Sequence, residues 1–185
     1  MKTSNYILIA LFVFVTASLL VLFISARGHE DDDGDGSNIT KKEYPIDSIN
    51  VIVAEPGVFI IIRTSDNNSL RVRYPKDEKE PENAYRISGD TLFVSKVVYQ
   101  NEKMKPAIEI YVRDLSLLVA KSNANIHVRD FIFDKLEINA DQAHIGFFNS
   151  SIGEAIIQAD HSEISMYSTK VNAIFGKLEI GRAHV

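Results

Sequence analysis

Two patterns of apolar positions divide the chain. Residues 6–24 are apolar throughout except for Thr16 and Ser18, whereas from residue 49 onward short runs rich in Val, Ile, Phe and Tyr alternate with polar residues and are cut by turn signals. The first pattern fits a membrane-spanning helix, because 19 residues at about 1.5 Å each approach the roughly 30 Å hydrocarbon layer. A cleaved signal peptide is the competing reading, with Lys2, an apolar core over 7–14 and a small-residue site at Val15-Thr16-Ala17. Cleavage there would leave 18–24 as a bare apolar end, which favours a retained anchor. Lys2 against Arg27, Lys41 and Lys42 does not settle orientation. A short tail (1–5) before a helix is the usual form of a signal anchor, which places the remainder outside the cytoplasm.

The second pattern predicts strands. Residues 50–54 lead into Glu55-Pro56-Gly57, where Pro fixes one φ and Gly permits a positive one, and 58–64 return. Leu70, Val72 and Tyr74 alternate with Arg71 and Arg73, so that strand has one buried and one wet face. A charged loop covers 75–82, a hairpin is expected across Gly89-Asp90, and Ile108, Ile110 and Val112 mark a further strand.

The second half repeats at an interval of 19 residues. Leu117, Leu136, Ala155 and Ile174 fall in one column, and Val119, Ile138 and Ile157 in another. Ala124, Ala143 and Ser162 keep step, as do Ile126, Ile145 and Ile164, then Val128, Phe147 and Met166, and polar Asn123, Gln142 and His161. Like residues at constant spacing suit successive coils that stack about 4.8 Å apart with their apolar columns inside. Antiparallel hairpins could share the interval, but their tight turns would favour Asn-Gly or Asp-Gly pairs, and none occurs between Leu115 and Gly176. The expected fold is therefore all-β: a right-handed parallel β-helix, or β-solenoid, with coils of about 19 residues, preceded by β-hairpins and one N-terminal transmembrane helix.

The hydrophobic N-terminal segment, an opening hairpin of the form Val51-Ile52-Val53-Ala54-Glu55-Pro56-Gly57-Val58-Phe59-Ile60-Ile61, the strand start Gly89-Asp90-Thr91-Leu92-Phe93-Val94 and the stacked short strands that follow resemble the head GIN domain family. The resemblance covers roughly 46–179 and rests on pattern more than on any invariant motif. It implies a cell-envelope β-helix of the kind named for auto-transporter adhesins in Bacteroidetes-like bacteria, related to the toastrack-like domains of envelope-stress regulators. The family's Gly-Ser or Ser-Gly corners are replaced here by Lys121-Ser122-Asn123, Asp141-Gln142 and Asp160-His161. Different corner geometry is expected.

Composition narrows the chemistry. With no Cys, disulfides, thiol nucleophiles and thiolate zinc sites are excluded. A net charge of −5 argues against a nucleic-acid partner, which requires clustered Lys and Arg. Residues 25–45 form an acidic, glycine-containing linker, with Glu30, Asp31, Asp32, Asp33, Asp35 and Glu43 among them. An EF-hand loop there would need its closing Glu where Lys42 stands. The last six residues, 180–185, read as the translation of a common sequencing adapter. They are expected to be an artefact on a domain cut short at 179.

Two clusters are candidates for binding. Asp141, Asp160, His144, His161 and Glu163 would be gathered by stacking into a patch able to hold a metal, although the same residues suit solvated corners. Arg129, Phe148 and Tyr167 lie one step beyond the buried column, where exposed aromatics suit a sugar ring or a protein partner; packing under another segment is the alternative. Catalysis of polysaccharide-lyase type would need a base beside acidic calcium ligands, yet Lys121, Arg129, Lys135 and Lys170 lie in different columns. No Ser-His-Asp grouping, phosphate loop or HExxH stretch is present.

The expected protein has no cofactor and no catalytic residue. Its tail is 1–5, its bilayer anchor 6–24, its linker 25–45 and its domain 46–179, set in the bacterial inner membrane with the domain in the periplasm. It would bind a protein or glycan, or serve as scaffold. The other reading is an envelope-stress sensor working through a membrane partner.

Overall fold

The structure is a computed structural model that describes residues 39–97, 108–179 and 183–184. Its strands in chain order are β1 (Ile39–Pro45), β2 (Val51–Ala54), β3 (Phe59–Thr64), β4 (Ser69–Pro75), β5 (Tyr85–Ser88), β6 (Thr91–Val94), β7 (Ile108–Val112) and β8 (Leu117–Ala120). There follow β9 (Asn125–Arg129), β10 (Ile132–Asp141), β11 (His144–Phe148), β12 (Ser151–Asp160), β13 (Glu163–Tyr167), β14 (Lys170–Glu179) and the two-residue β15 (Ala183–His184). One sheet runs β1-β4-β7-β3-β9-β11-β13-β15, the other β14-β12-β10-β8-β2-β6-β5. Alternate residues of both sheets share a single core that includes Ile52, Ile60, Ile110, Leu118, Ile126 and Phe147. Each such side chain contributes about 1.5–3 kcal/mol by leaving water.

The expected β-solenoid preceded by hairpins is corrected. The strands belong to two mixed sheets of eight and seven strands, in which β1–β4, β4–β7 and β5–β6 are antiparallel and the other pairings parallel. The opening run 51–61 is not a hairpin. Glu55-Pro56-Gly57-Val58 does form a turn, with Gly57 at φ 70° and Val58 N–H donating to Glu55 O at 3.3 Å. It hands the chain from one sheet to the other, because β2 pairs with β6 and β8 while β3 pairs with β7 and β9. The physical reason is that both β2 and β3 have an apolar alternate face to bury in the common core, and a turn between sheets buries both. The hairpin across Gly89-Asp90 does form, from β5 and β6.

The interval of 19 residues appears directly in the pairing. Ile138 faces Ile157, Ile157 faces Gly176, His144 faces Glu163, and Phe148 lies between Arg129 and Tyr167. It fails at one place. β8 meets β10 with Leu118 opposite Ile138 and Leu117 opposite Glu137, an offset of 20. A one-residue shift reverses which face a side chain occupies. Leu118 and Ala120 are accordingly buried, while Leu117 and Val119, placed in the apolar columns by the sequence, are half-buried on the outer face. The additional residue lies in the corner 121–123, and the interval is restored at Ala124.

Corners without glycine are closed by residues in the left-handed region. Asn123, Gln142 and His161 have φ of 59°, 48° and 45°, and Asp130, Asn149 and Ser168 have 58°, 52° and 50°. Such a conformation costs an L-residue about 1–2 kcal/mol. Repeated hydrogen bonds offset it: Asn123 N–H to Gln142 O at 2.7 Å, Gln142 N–H to Asp160 O at 2.8 Å, Asn149 Nδ2 to Asp130 Oδ1 at 2.7 Å. Just after them the Ser162 hydroxyl accepts from the buried Ala143 N–H at 3.1 Å and donates to Asp160 O at 2.8 Å.

Residues 39–45, read in the sequence as the end of the linker, form edge strand β1 against β4. The segments 1–5 and 6–24, read as tail and membrane anchor, and linker residues 25–38 lie outside the described residues. Among the described residues no helix is long and apolar enough to cross a membrane. Within the adapter-like tail, Ala183 and His184 pair with Ile164 and Ser165.

Candidate binding face of the eight-stranded sheet

The outward residues of β7, β3, β9, β11 and β13 fall into rows that cross the strands. In one row Tyr111, Arg63, Arg129, Phe148 and Tyr167 stand side by side. The alternating pattern that sends Ile62, Val128 and Phe147 into the core sends these residues out. The three residues singled out in the sequence, Arg129, Phe148 and Tyr167, are thus adjacent. The Arg129 guanidinium lies 5.2 Å from the Phe148 ring centre. The Phe148 and Tyr167 rings stack 4.9 Å apart at 12°. Tyr167 is 54% exposed, which excludes its packing under another described segment.

A second row supports the first. Ile61, His127, Gly146 and Ser165 are in register. A Cβ at Gly146 would lie 2.8 Å from Phe148 Cε2, so glycine makes the seat on which that ring rests. His127 completes the support, its ring edge-on to Phe59 at 5.1 Å and to Phe148 at 5.2 Å. Burial, and secondarily the Arg129 charge, hold the His127 imidazole below its ordinary value of 6.5. Arg63, Gly146 and His127 were not singled out in the sequence. The only signal for Gly146 and His127 was membership of a column that flanks the aromatic one, and Arg63 lies on β3, outside the repeat.

At the other end of this face Glu109 is buried among cations. Its side chain is 2% exposed, with Arg71 at 3.2 Å, Arg73 in contact, and the Tyr111 hydroxyl donating at 3.0 Å. Burial first, then the Glu109 charge, push the Tyr111 phenol up. Arg71 also reaches Glu43 of β1 at 3.2 Å, and the Ser69 hydroxyl and Arg71 together hold Glu43 below the usual carboxylate range. These ties link β1, β4 and β7 through one charge network.

The acidic and histidine cluster divides into pairs. Asp141 and Asp160 are neighbours in the ladder and both exposed. His161 Nδ1 meets Asp160 Oδ1 at 2.5 Å, and His144 Nδ1 meets Glu163 Oε2 at 3.3 Å on the other sheet. Among the described residues no three His, Cys, Asp or Glu side chains gather as a metal site would require. A cavity of about 440 Å³ beside Asp141 and Asp160 has a floor of Val119, Ala120, Ala140 and Ala159.

No family model matches the sequence, and comparison with the curated proteins finds no match. Solved structures do match. The chain is similar to a putative adhesin from Bacteroides fragilis at 14% identity and a TM-score of 0.60, over 80% of each chain. It is also similar to a putative adhesin from Parabacteroides distasonis at 16% identity and a TM-score of 0.53, over 82% of this chain and 74% of that one. At these identities the likeness shows a shared fold.

Proposed function

We propose that the chain is a non-catalytic binding module of the cell envelope, adhesin-like as the head GIN resemblance suggests, and that it engages its partner through the Arg129–Phe148–Tyr167 row. The observation that carries this reading is a row of aromatic and guanidinium groups fixed by backbone pairing, with Tyr167 exposed and Arg129 and Phe148 partly so. Aromatic and arginine side chains held rigidly lose little entropy on binding, which is why they dominate recognition surfaces. The apolar run 6–24 supports attachment to the bacterial inner membrane, with the β unit outside the cytoplasm. The fold shared with putative adhesins of Bacteroides and Parabacteroides agrees with binding in place of turnover.

The test is the full chain carrying Phe148→Ser and Tyr167→Ser, compared with wild type for co-sedimentation with isolated cell envelopes and with a panel of neutral and acidic polysaccharides. The expected result is unchanged circular dichroism and lost binding. Binding equal to wild type overturns the reading, and so does unfolding, since it would make these rings part of the packing. Protease accessibility of the β unit in spheroplasts checks the orientation.

A further inference from the structure

Within the proposed face, the two arginine pairs of the eight-stranded sheet are treated differently by their surroundings. Arg71 and Arg73 share the buried Glu109 carboxylate. Arg63 and Arg129 stand directly opposite one another on β3 and β9, roughly 4.8 Å apart by strand spacing. No carboxylate among the described residues pairs with either. Glu109 is engaged by the other pair, and Glu163, the nearest acid along β13, faces His144. The Nε of each is shielded from water and has no acceptor among the described residues. Like charges directly opposed on a sheet repel, and shielding from water strengthens the repulsion.

The whole chain has a net charge of −5, yet this part of its surface concentrates positive charge beside stacked rings. An anion placed on the outer edges of both guanidiniums would remove the repulsion and make charge-assisted hydrogen bonds, which are about twice as strong as neutral ones. One strand further on, Phe148 and then Tyr167 offer an apolar surface along the same line. The ligand that matches has an oxyanion and a ring-bearing apolar body in one chain.

We infer that Arg63 and Arg129 form an anion site and that the ligand of this face is an acidic glycan, with a carboxylate or sulfate on the two guanidiniums and a neighbouring sugar against Tyr167. This rests on the binding reading above and adds the ligand class. It also requires Arg63, which lies two strands from Phe148.

The test measures binding of the full chain to oligoglucuronate, sulfated dextran, unmodified dextran and poly-glutamate, for wild type, Arg63→Gln/Arg129→Gln and Tyr167→Ser. Wild type is expected to bind an acidic glycan, with affinity falling at least tenfold between 50 and 300 mM salt (roughly two counterions, by analogy with polyanion binding). The carboxylated and sulfated arms identify which oxyanion is used. The double arginine variant is expected to lose at least tenfold while melting no lower than wild type, because removing an uncompensated like-charge pair does not cost stability. Tyr167→Ser is expected to weaken the acidic glycan but not poly-glutamate. Acidic glycan binding unchanged in the double arginine variant, no acidic glycan binding at all, or equal affinity for poly-glutamate overturns the inference. Binding of neutral dextran lost in the Phe148→Ser/Tyr167→Ser chain but kept in the arginine variant would overturn it while leaving the broader reading intact.

Discussion

Phe148 rests on Gly146, two residues earlier on the same strand, with ring atom Cε2 2.8 Å from where a Cβ would be. The aromatic row is level because one position beneath it has no side chain. Gly146→Ala should force the ring off His127 and the Tyr167 stack, at about 1 kcal/mol or less, because the ring edge of the partly exposed Phe148 can swing aside without disturbing the core. A chemical denaturation midpoint and near-ultraviolet circular dichroism check this. An unchanged aromatic signal would show that the ring has another seat.

Glu109 should be the most sensitive charged residue of the described sheet. Glu109→Gln leaves Arg71 and Arg73 half-buried without their shared counter-charge, and the loss should be on the order of 3 kcal/mol. Arg129→Gln should change stability by less than about 0.5 kcal/mol, as substitutions outside a paired network do. Urea titration of the two variants side by side gives the comparison, and equal losses would contradict the assignment of charges.

The offset of 20 between β8 and β10 makes a prediction that the uniform interval reverses. Leu118→Ala should cost about 2–5 kcal/mol as a core truncation, and Leu117→Ala roughly 1 kcal/mol or less. If Leu117 proved the costlier, the strand would be in the register that the sequence columns implied.

His127 should make stability fall on acidification. Its folded value is depressed, so between the unfolded value near 6.5 and the lower folded one the unfolded chain binds more protons, and stability is lost as pH drops through that window. Unfolding midpoints at pH 7.5 and 5.5 should differ more for wild type than for His127→Gln. Equal differences would remove His127 from the acid response.

Much of the fold is legible in the sequence. The period-2 alternation identified the strands, and the columns around Ile126, Ile138 and Phe147 identified core positions, because a pleated strand sends every second side chain to the same face. Partner choice was less legible. Glu55-Pro56-Gly57 has the chemistry of a turn whether it joins paired strands or passes the chain between sheets, and only the burial demand of both neighbours distinguishes the two. Residues 39–45 were hidden by charge, since an edge strand with Lys41, Lys42 and Glu43 has the composition of a linker. Among the candidate residues, Arg129, Phe148 and Tyr167 were visible by their spacing, whereas Arg63 comes from a strand outside the repeat.

The sequence by itself determined that the body is all-β, that its second half repeats at 19 residues, and that Phe148 and Tyr167 point away from the core. Each follows from local alternation, which needs no knowledge of what lies opposite. Only the tertiary structure decided that the strands make two mixed sheets, that β8 is shifted by one residue, and that Arg63 stands beside Arg129 with no carboxylate partner among the described residues. Those facts depend on pairings between segments far apart in the chain, and a pairing is fixed by the shared core of both sheets, not by either segment alone.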